Sequence, residues 1–543
     1  MKKALVLLLT LTMLLCLVAC GSGGNQGGGS TTPSASTPST TTPSTPSATT
    51  PAAPQGPPTG PEGQEYGGVL RMTSSATFQE PFGLPWLYQT MNRPLAPFGE
   101  ALVLETPYGD MSPFLAKSWD IDMDKLEITF YLRDDVTFAD GSKFNADACK
   151  WNYDNYIEAK VMNPSVAAFE VRGEYELTAV LRDYNNSLLN IFASRGQCLV
   201  SKEGYEKNGE EYSLHHSIGT GPFVLTDRQP GLRVEFERRD DYWQPGKPYL
   251  DGVVYIAMGD VMTQNAAMMS SGDDGVDVVQ TGAGEQIATL LANADCYRSF
   301  FPGGPTSLFP DSMNPDSILA ILEVRQALAY AIDRDAICEA RGFGAWTPGV
   351  QIIPPPYPGP LPDSYNLYYD PAKSKELLAK AGYPNGFTIP MHVPAAVDRD
   401  AIVAVQSMLG DIGVICDMDF PEAGASTELR NNGWDGIYVA THSPLANAIS
   451  SFRLNFDPDF LYYVSVARPP GYTEVYTQAR TSRVVEESLV QEIHKLFLDN
   501  MTIIPIWNTS TSYVIRSNIH DSGLGEWSSG TQWLPENAWR SSK

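Results

Sequence analysis

The chain has 543 residues, with 37 Lys+Arg against 63 Asp+Glu and a formal charge of −26. So acidic a surface repels phosphate backbones and argues against nucleic acid as a partner, and the length is too great for one compact core. Of seven cysteines, the five from Cys149 to Cys416 stand at long, irregular spacings that make neither a zinc pattern nor a disulfide scaffold.

At the start, Lys2 and Lys3 precede a short apolar run from Ala4 to Ala19, the charged and hydrophobic regions of a secretory signal. The run falls short of the ~20 apolar residues that a membrane span needs. Leu17-Val18-Ala19-Cys20 puts small cleavage-site residues directly before a cysteine and resembles the bacterial lipobox. Residues 1–19 thus read as signal and Cys20 as the lipidation site, an incidental cysteine being the alternative. Ser30 to Pro54 contains only Ser, Thr, Pro and Ala, which cannot bury enough apolar surface to offset ordering entropy. At ~3.1 Å per residue these roughly 25 residues reach up to about 80 Å, so residues 20–65 read as a tether.

From Tyr66 onward the chain mixes strand and helix signals. Leu126 to Leu132 and Val136 to Phe138 read as strands, with a turn at Asp140-Gly141. Val324, Leu328 and Ile332 fall on one face of a helix. In DPAKSKELLAKAGY, Asp370 is the N-cap, Pro371 the first helical residue and Gly382 the stop. Phe387 to Val393, then Asp398 to Asp411, then Val414 to Phe420 read as strand, helix and strand, a βαβ unit with parallel strands. The whole argues for α/β lobes with a strand-rich insertion.

Catalytic and metal patterns fail. There is no GxxxxGK[ST], HExxH or GxSxG. Asp120, Asp122 and Asp124 imitate a calcium loop, but Lys125 takes the glycine position, so a polar hairpin turn is the better reading. Asp273, Asp274 and Asp277 read as a solvated turn. His215 and His216, neighbours on one strand, would point to opposite faces and share no metal.

Several stretches, in order, resemble the family 5 solute-binding proteins of ABC importers, the oligopeptide- and dipeptide-binding group. They are LAKSWDIDMDKLEITFYLRDDVTFADGSKFNADACKWNYD (115–154), SIGTGPFVL (217–225), RRDDYWQPGKPYLDGVVY (238–255), VRQALAYAIDRDAI, YDPAKSKELLAKAGYPNGF and IIPIW (503–507). The resemblance implies a type II periplasmic-binding-protein-like fold of two lobes with a hinge and an extra N-terminal-side subdomain. Lobe I would run over 66–310 with an insertion at about 100–200, lobe II over 311–500, and 501–543 would return to lobe I. It further implies a monomeric receptor without cofactor or enzymatic activity, on the extracytoplasmic face. Its partners would be a small solute, by default a peptide, and a separate permease, with the membrane touched through the lipid alone.

In this family an aspartate beyond a lobe II strand pairs with the peptide ammonium. The matching stretch, WDGIYVATHSPLANAISSF, has no acid between Asp435 and Asp457. Thr441, His442, Ser443 and Asn447 stand there instead and suit a hydroxylated or blocked solute, which makes an oligosaccharide or another polar non-peptide the second reading. A surface sensor and a secreted hydrolase are further alternatives. Trp86 is a candidate cleft residue with core packing as the alternative, Trp346 a candidate stacking platform, and Trp434 a core residue.

Overall fold

Alternation and helical periodicity of apolar residues set up the layers, which a computed structural model describes for residues 60, 63–76, 78–81, 83–87, 92–107, 109–194, 197–270, 272, 275–442, 448–457, 462–527 and 533–542. The signal run, Cys20, the Ser/Thr/Pro-rich stretch, Asp273, Asp274, Ser443 and Asn447 lie outside the described residues. Pro57–Lys543 make one compact unit. No helix among the described residues is long and apolar enough to cross a membrane.

An 11-stranded mixed sheet is the backbone of that unit. Its order is Val414–Asp419, Phe387–His392, Ile437–Thr441, Cys296–Pro310, Ile504–Arg516, Val278–Thr281, Val69–Ser74, Gly252–Ala257, Arg233–Arg238 and Phe223–Gln229, with Thr347–Pro348 on the edge of Ile504–Arg516. The predicted βαβ unit is present: Phe387–His392 and Val414–Asp419 pair in parallel, and helix Arg399–Asp411 connects them. Asp398 caps that helix by accepting the Ala401 N–H, while Ile402, Val405 and Leu409 are wholly buried. Gly386 and Gly413 both have positive φ, and a Cβ on Gly386 would collide with the Gly413 carbonyl, so the two strands can start side by side only with glycine there. Helix Pro371–Lys380 likewise follows expectation, with the Asp370 carboxylate accepting the Lys373 N–H.

A separate antiparallel sheet is the strand-rich insertion, ordered Ala116–Asp122, Glu127–Leu132, Glu176–Leu181, Val166–Gly173. Alternation buries Ile128, Phe130 and Leu132 beneath helix Ala146–Glu158, which contributes Cys149, Tyr153 and Tyr156. Two local expectations need correction here. Val136 to Phe138 makes only a single bridge, Thr137 to Lys143, because the chain turns at Gly141 and enters the helix at once. His215 and His216 end a short helix rather than a strand, and the His216 ring stacks on Tyr212 at 3.7 Å. The Asp122 turn is the polar hairpin expected: its carboxylate accepts the N–H groups of Asp124 and Lys125 and pairs with the Lys125 ammonium.

Asp277 departs from the solvated turn expected of it. It is buried, accepts the Arg71 N–H at 2.8 Å, and pairs with the guanidinium groups of Arg516 and Arg540. The acid thereby ties the first strand of the unit to its last forty residues.

Side chains gather in three cores. The first joins the insertion to the strands Val69–Ser74, Gly252–Ala257 and Arg233–Arg238. The second and third lie on opposite faces of strand Ile437–Thr441, with Ile437 and Val439 in the second and Tyr438 and Ala440 in the third. Within the first, Glu105 is buried at the end of strand Val103–Glu105, and burial lifts its carboxyl to about 7 against the opposing hydrogen bond from Asn190. Its folded pKa exceeds its unfolded value of 4.5, so the contribution it makes below pH 4.5 is lost as pH rises through 7. Glu105→Gln, which keeps an acceptor for Asn190, is expected to leave urea stability unchanged at pH 4 and raise it by up to ~3 kcal/mol at pH 8. An equal effect at both pH values would refute this account of the carboxyl.

Candidate functional site between two halves of the sheet

Two strands, Cys296–Pro310 and Ile504–Arg516, carry the sheet from one half to the other. They pair from Cys296 opposite Arg516 to Leu308 opposite Ile504, with register breaks between Pro302 and Pro305 and between Thr306 and Ser307. The first break holds Pro302-Gly303-Gly304-Pro305, whose prolines have no N–H to give the ladder. Gly303 lets the chains approach, since a Cβ there would lie 2.8 Å from the Thr509 carbonyl. On its other edge, Ile504–Arg516 pairs with Val278–Thr281 through residues 512–515 and with Thr347–Pro348 through 507–508. Residues 509–511 are therefore left without a ladder partner on that edge, opposite the Pro-Gly-Gly-Pro break. This is the hinge, and the sequence reading missed it. Two glycines framed by prolines inside a long β-rich run were the available signal.

The two faces of the hinge differ. The second core runs unbroken across it, holding Ala267, Val279 and Ile287 from one half with Ile389, Met391 and Val405 from the other. Trp346 stacks on Trp507 with centroids 5.0 Å apart and planes 9° off parallel, and it points its indole N–H at the Gly282 carbonyl. On the opposite face the first and third cores are separate clusters. The space between those two cores is the candidate site.

The sequence candidates distribute unevenly over this frame. Trp86 is buried in the first core, edge-on to Trp151 at 5.3 Å and to Tyr156 at 5.8 Å. Trp346 is buried in the second core; it stacks on Trp507 and is only 9% exposed. Thr441 is exposed and its Oγ1 lies 2.6 Å from Thr306 Oγ1, on the second-core side of its strand. His442 is one residue further and so faces the third core, 6.0 Å from the Phe309 ring and at 82° to it. Trp434 is buried in the third core. Of the described candidates, Trp86 and His442 belong to the face where the cores are separate, and Trp86 is packed within the first core.

Around His442 the structure adds residues no motif announced. Tyr357 donates its hydroxyl to the Pro302 carbonyl at 2.7 Å and meets Phe301 edge-on, fixing the proline-rich loop against the hinge. His494 is buried, and burial lowers its pKa to about 4; its Nε2 accepts the N–H groups of Ile352 and Ile353, while Nδ1 donates to the Gly359 carbonyl. Asp457, the first acid after Asp435, is buried, accepts the Tyr476 hydroxyl at 2.6 Å and lies 3.8 Å from Arg480. No cluster of His, Cys, Asp or Glu among the described residues suits a metal ion.

Among the described residues, a polar contact at Asn186 spans the first and third cores. Asn186, just before helix Leu188–Ala193, donates its backbone N–H to the Arg480 carbonyl at 3.0 Å and its Nδ2 to the carbonyls of Ala479 and Ser482 at 2.6 and 3.2 Å. Those carbonyls are the unsatisfied end of helix Tyr472–Thr481, so Asn186 caps a helix belonging to the other half.

Two α/β halves hung on two strands, with a separable interface on one face, define a bilobal binding protein. The chain belongs to the bacterial extracellular solute-binding proteins, family 5, whose middle-region model matches residues 110–458. Over 337 residues it is 30% identical to the glutathione-binding protein GsiB of Escherichia coli O6:K15:H31, covering 60% of this chain; the chain thus spans about 64% of the length of the curated relatives it matches. It is similar in structure to NikA from Brucella suis in complex with Fe(III)-EDTA, with a TM-score of 0.74, 19% identity, and coverage of 87% of this chain and 100% of the other. DppA from Helicobacter pylori in complex with the peptide STSA aligns with a TM-score of 0.69, 19% identity, and coverage of 88% and 98%. The fold is that of type II periplasmic binding proteins: two lobes, a hinge and an extra subdomain.

Loss of the Asn186 side chain tests the contact. Asn186→Ala keeps the backbone bond and removes those of the side chain, about 1–2 kcal/mol, which favours separation of the halves by roughly 5–30-fold. Small-angle scattering should show a larger radius of gyration for the variant. An unchanged radius would mean the contact does not hold the halves together.

Proposed function

We propose that this protein is an extracytoplasmic receptor of an ABC importer, anchored through lipid on Cys20, that captures a peptide or peptide-like solute between its lobes and hands it to a permease. The observation that carries this reading is the hinge: two halves joined by two strands that lose their ladder at Pro302–Pro305, with separate cores on one face only. Such a joint bends at low cost and encloses whatever lies between the cores. The chain itself has no phosphate-binding loop, nucleophile motif or metal cluster among the described residues, which fits a carrier whose energy comes from a partner subunit.

Peptides are the first choice because GsiB is named for glutathione and the similar DppA structure holds STSA. A second reading, a neutral polar solute such as an oligosaccharide, is favoured by the absence of an acid between Asp435 and Asp457. NikA, with Fe(III)-EDTA, is a reminder that this fold accepts dissimilar cargo. We assign ligand contact to His442 with its neighbours Ser443 and Asn447, and give Thr441, Trp86 and Trp346 supporting roles. Lobe I comprises 66–310 and 501–543, with the insertion at about 100–200, and lobe II 311–500; strand Cys296–Pro310 serves both.

Native mass spectrometry of the full chain, purified without refolding, tests the ligand class. A ladder of masses fitting peptides, free or blocked, is expected, a single non-peptide mass would favour the second reading, and turnover of an added solute would overturn both. For the anchor, Cys20→Ser is expected to move the protein from the membrane fraction to the soluble fraction, since several acyl chains at about 0.8 kcal/mol per buried CH₂ hold firmly. Membrane retention of that variant would refute lipidation at Cys20.

A further inference from the structure

A small, nearly closed cavity lies on the third-core side of the hinge, with Ile352, Ile353, His442, Ser451, Phe452 and Phe456 among its walls and room for about one water. His442 is buried, and neither Nδ1 nor Nε2 has a hydrogen-bond partner among the described residues. Burial lowers its pKa to about 4, with the Ile352 backbone opposing the shift and the neighbouring His494 adding to it. At neutral pH the ring is therefore uncharged, with one nitrogen a donor and the other an acceptor.

We infer that this cavity receives the terminal hydrogen-bonding atom of the solute's buried end and that it selects an uncharged group, a hydroxyl or a blocked amide, against an ammonium. The inference rests on the solute-receptor reading above and narrows its ligand class. An unpartnered imidazole in an apolar enclosure is costly, and a small group that donates and accepts relieves that cost. An ammonium only donates. It would enter a pocket where none of the described lining residues is acidic, and a buried cation left without a carboxylate costs several kcal/mol. Neighbouring acids offer no rescue, since Asp457 is already bound to Tyr476 and lies beside Arg480. His494 stands close by but has both nitrogens engaged by backbone. His442 is the ring left to read the solute.

The test is a competition on the full-length protein at pH 7. The probe mixture is a random tripeptide library with free amines, the same library N-acetylated, and neutral di- and trisaccharides in equal amounts, with the retained pool weighed after gel filtration. The wild type is expected to enrich acetylated peptides or saccharides at least about tenfold over free peptides, and which of the two is enriched names the source of the neutral group. His442→Asp should reverse the preference by a similar factor, and Ser451→Ala should weaken retention without reversing it. Free peptides enriched by the wild type would overturn the subsite while leaving the receptor reading intact. The same ratio in wild type and a folded His442→Phe would overturn it too. Retention of nothing by the wild type would remove the receptor reading and the subsite with it. The wild-type ratio alone decides if a variant fails to fold.

Discussion

The antiparallel pairing of Cys296–Pro310 with Ile504–Arg516 is the constraint on which the rest of the molecule depends. These are the strands that belong to both halves of the sheet, and each is buried by different cores along its length. A ladder continuous through the middle would have made one rigid slab. Two prolines without N–H groups and a register shift interrupt it instead, and the missing partner on the far edge of residues 509–511 leaves the same level unsupported on both sides. Arg334 anchors this weak point from behind. It is fully buried, donates to the carbonyls of Ala329, Ile332, Gly349 and Pro505, and stays cationic at neutral pH although burial lowers its pKa to about 10. One guanidinium thus ties the end of helix Leu322–Tyr330 and the start of helix Arg334–Arg341 to the hinge strand.

Continuity of the second core decides which way the hinge bends. Trp346 on Trp507, and the packing of Val279 and Ile287 with residues from the other half, bind that face into one body. Opening there would expose a large apolar area at about 25 cal/mol per Å². Opening the other face breaks, among the described residues, hydrogen bonds at Asn186 and leaves the first and third cores whole. Motion therefore follows the cheaper face, and His442 stands on it.

Much of the architecture was legible because it is local. The βαβ unit needed only the cap at Asp398, the apolar stripe Ile402, Val405 and Leu409, and the glycine at 413, and the helix before it the cap at Asp370. The family resemblance followed from similar turn and helix motifs. The site was less legible. Thr441 and His442 are adjacent in sequence, yet the pleat sends them to opposite faces, and which face binds depends on core continuity two hundred residues away. Aromatic composition was no surer a guide. Trp86 and Trp346 each have an aromatic partner from a distant segment that the sequence does not reveal. Asp277 was hidden likewise, its two arginine partners lying at positions 516 and 540.

The acid balance of the chain gains a meaning from these placements. A net charge of −26 is carried largely by exposed carboxylates, while the buried arginines at 325 and 334 are held by backbone carbonyls rather than by acids. Carboxylates near the candidate site are either engaged, as Asp457 is, or absent from the cavity lining described. The long-range field of such a surface draws cations toward the protein, yet the cavity at His442 offers a cation no partner. Attraction at a distance and selection at contact thus act on different properties of a solute: the first responds to its net charge, the second to whether its buried end can both donate and accept a hydrogen bond.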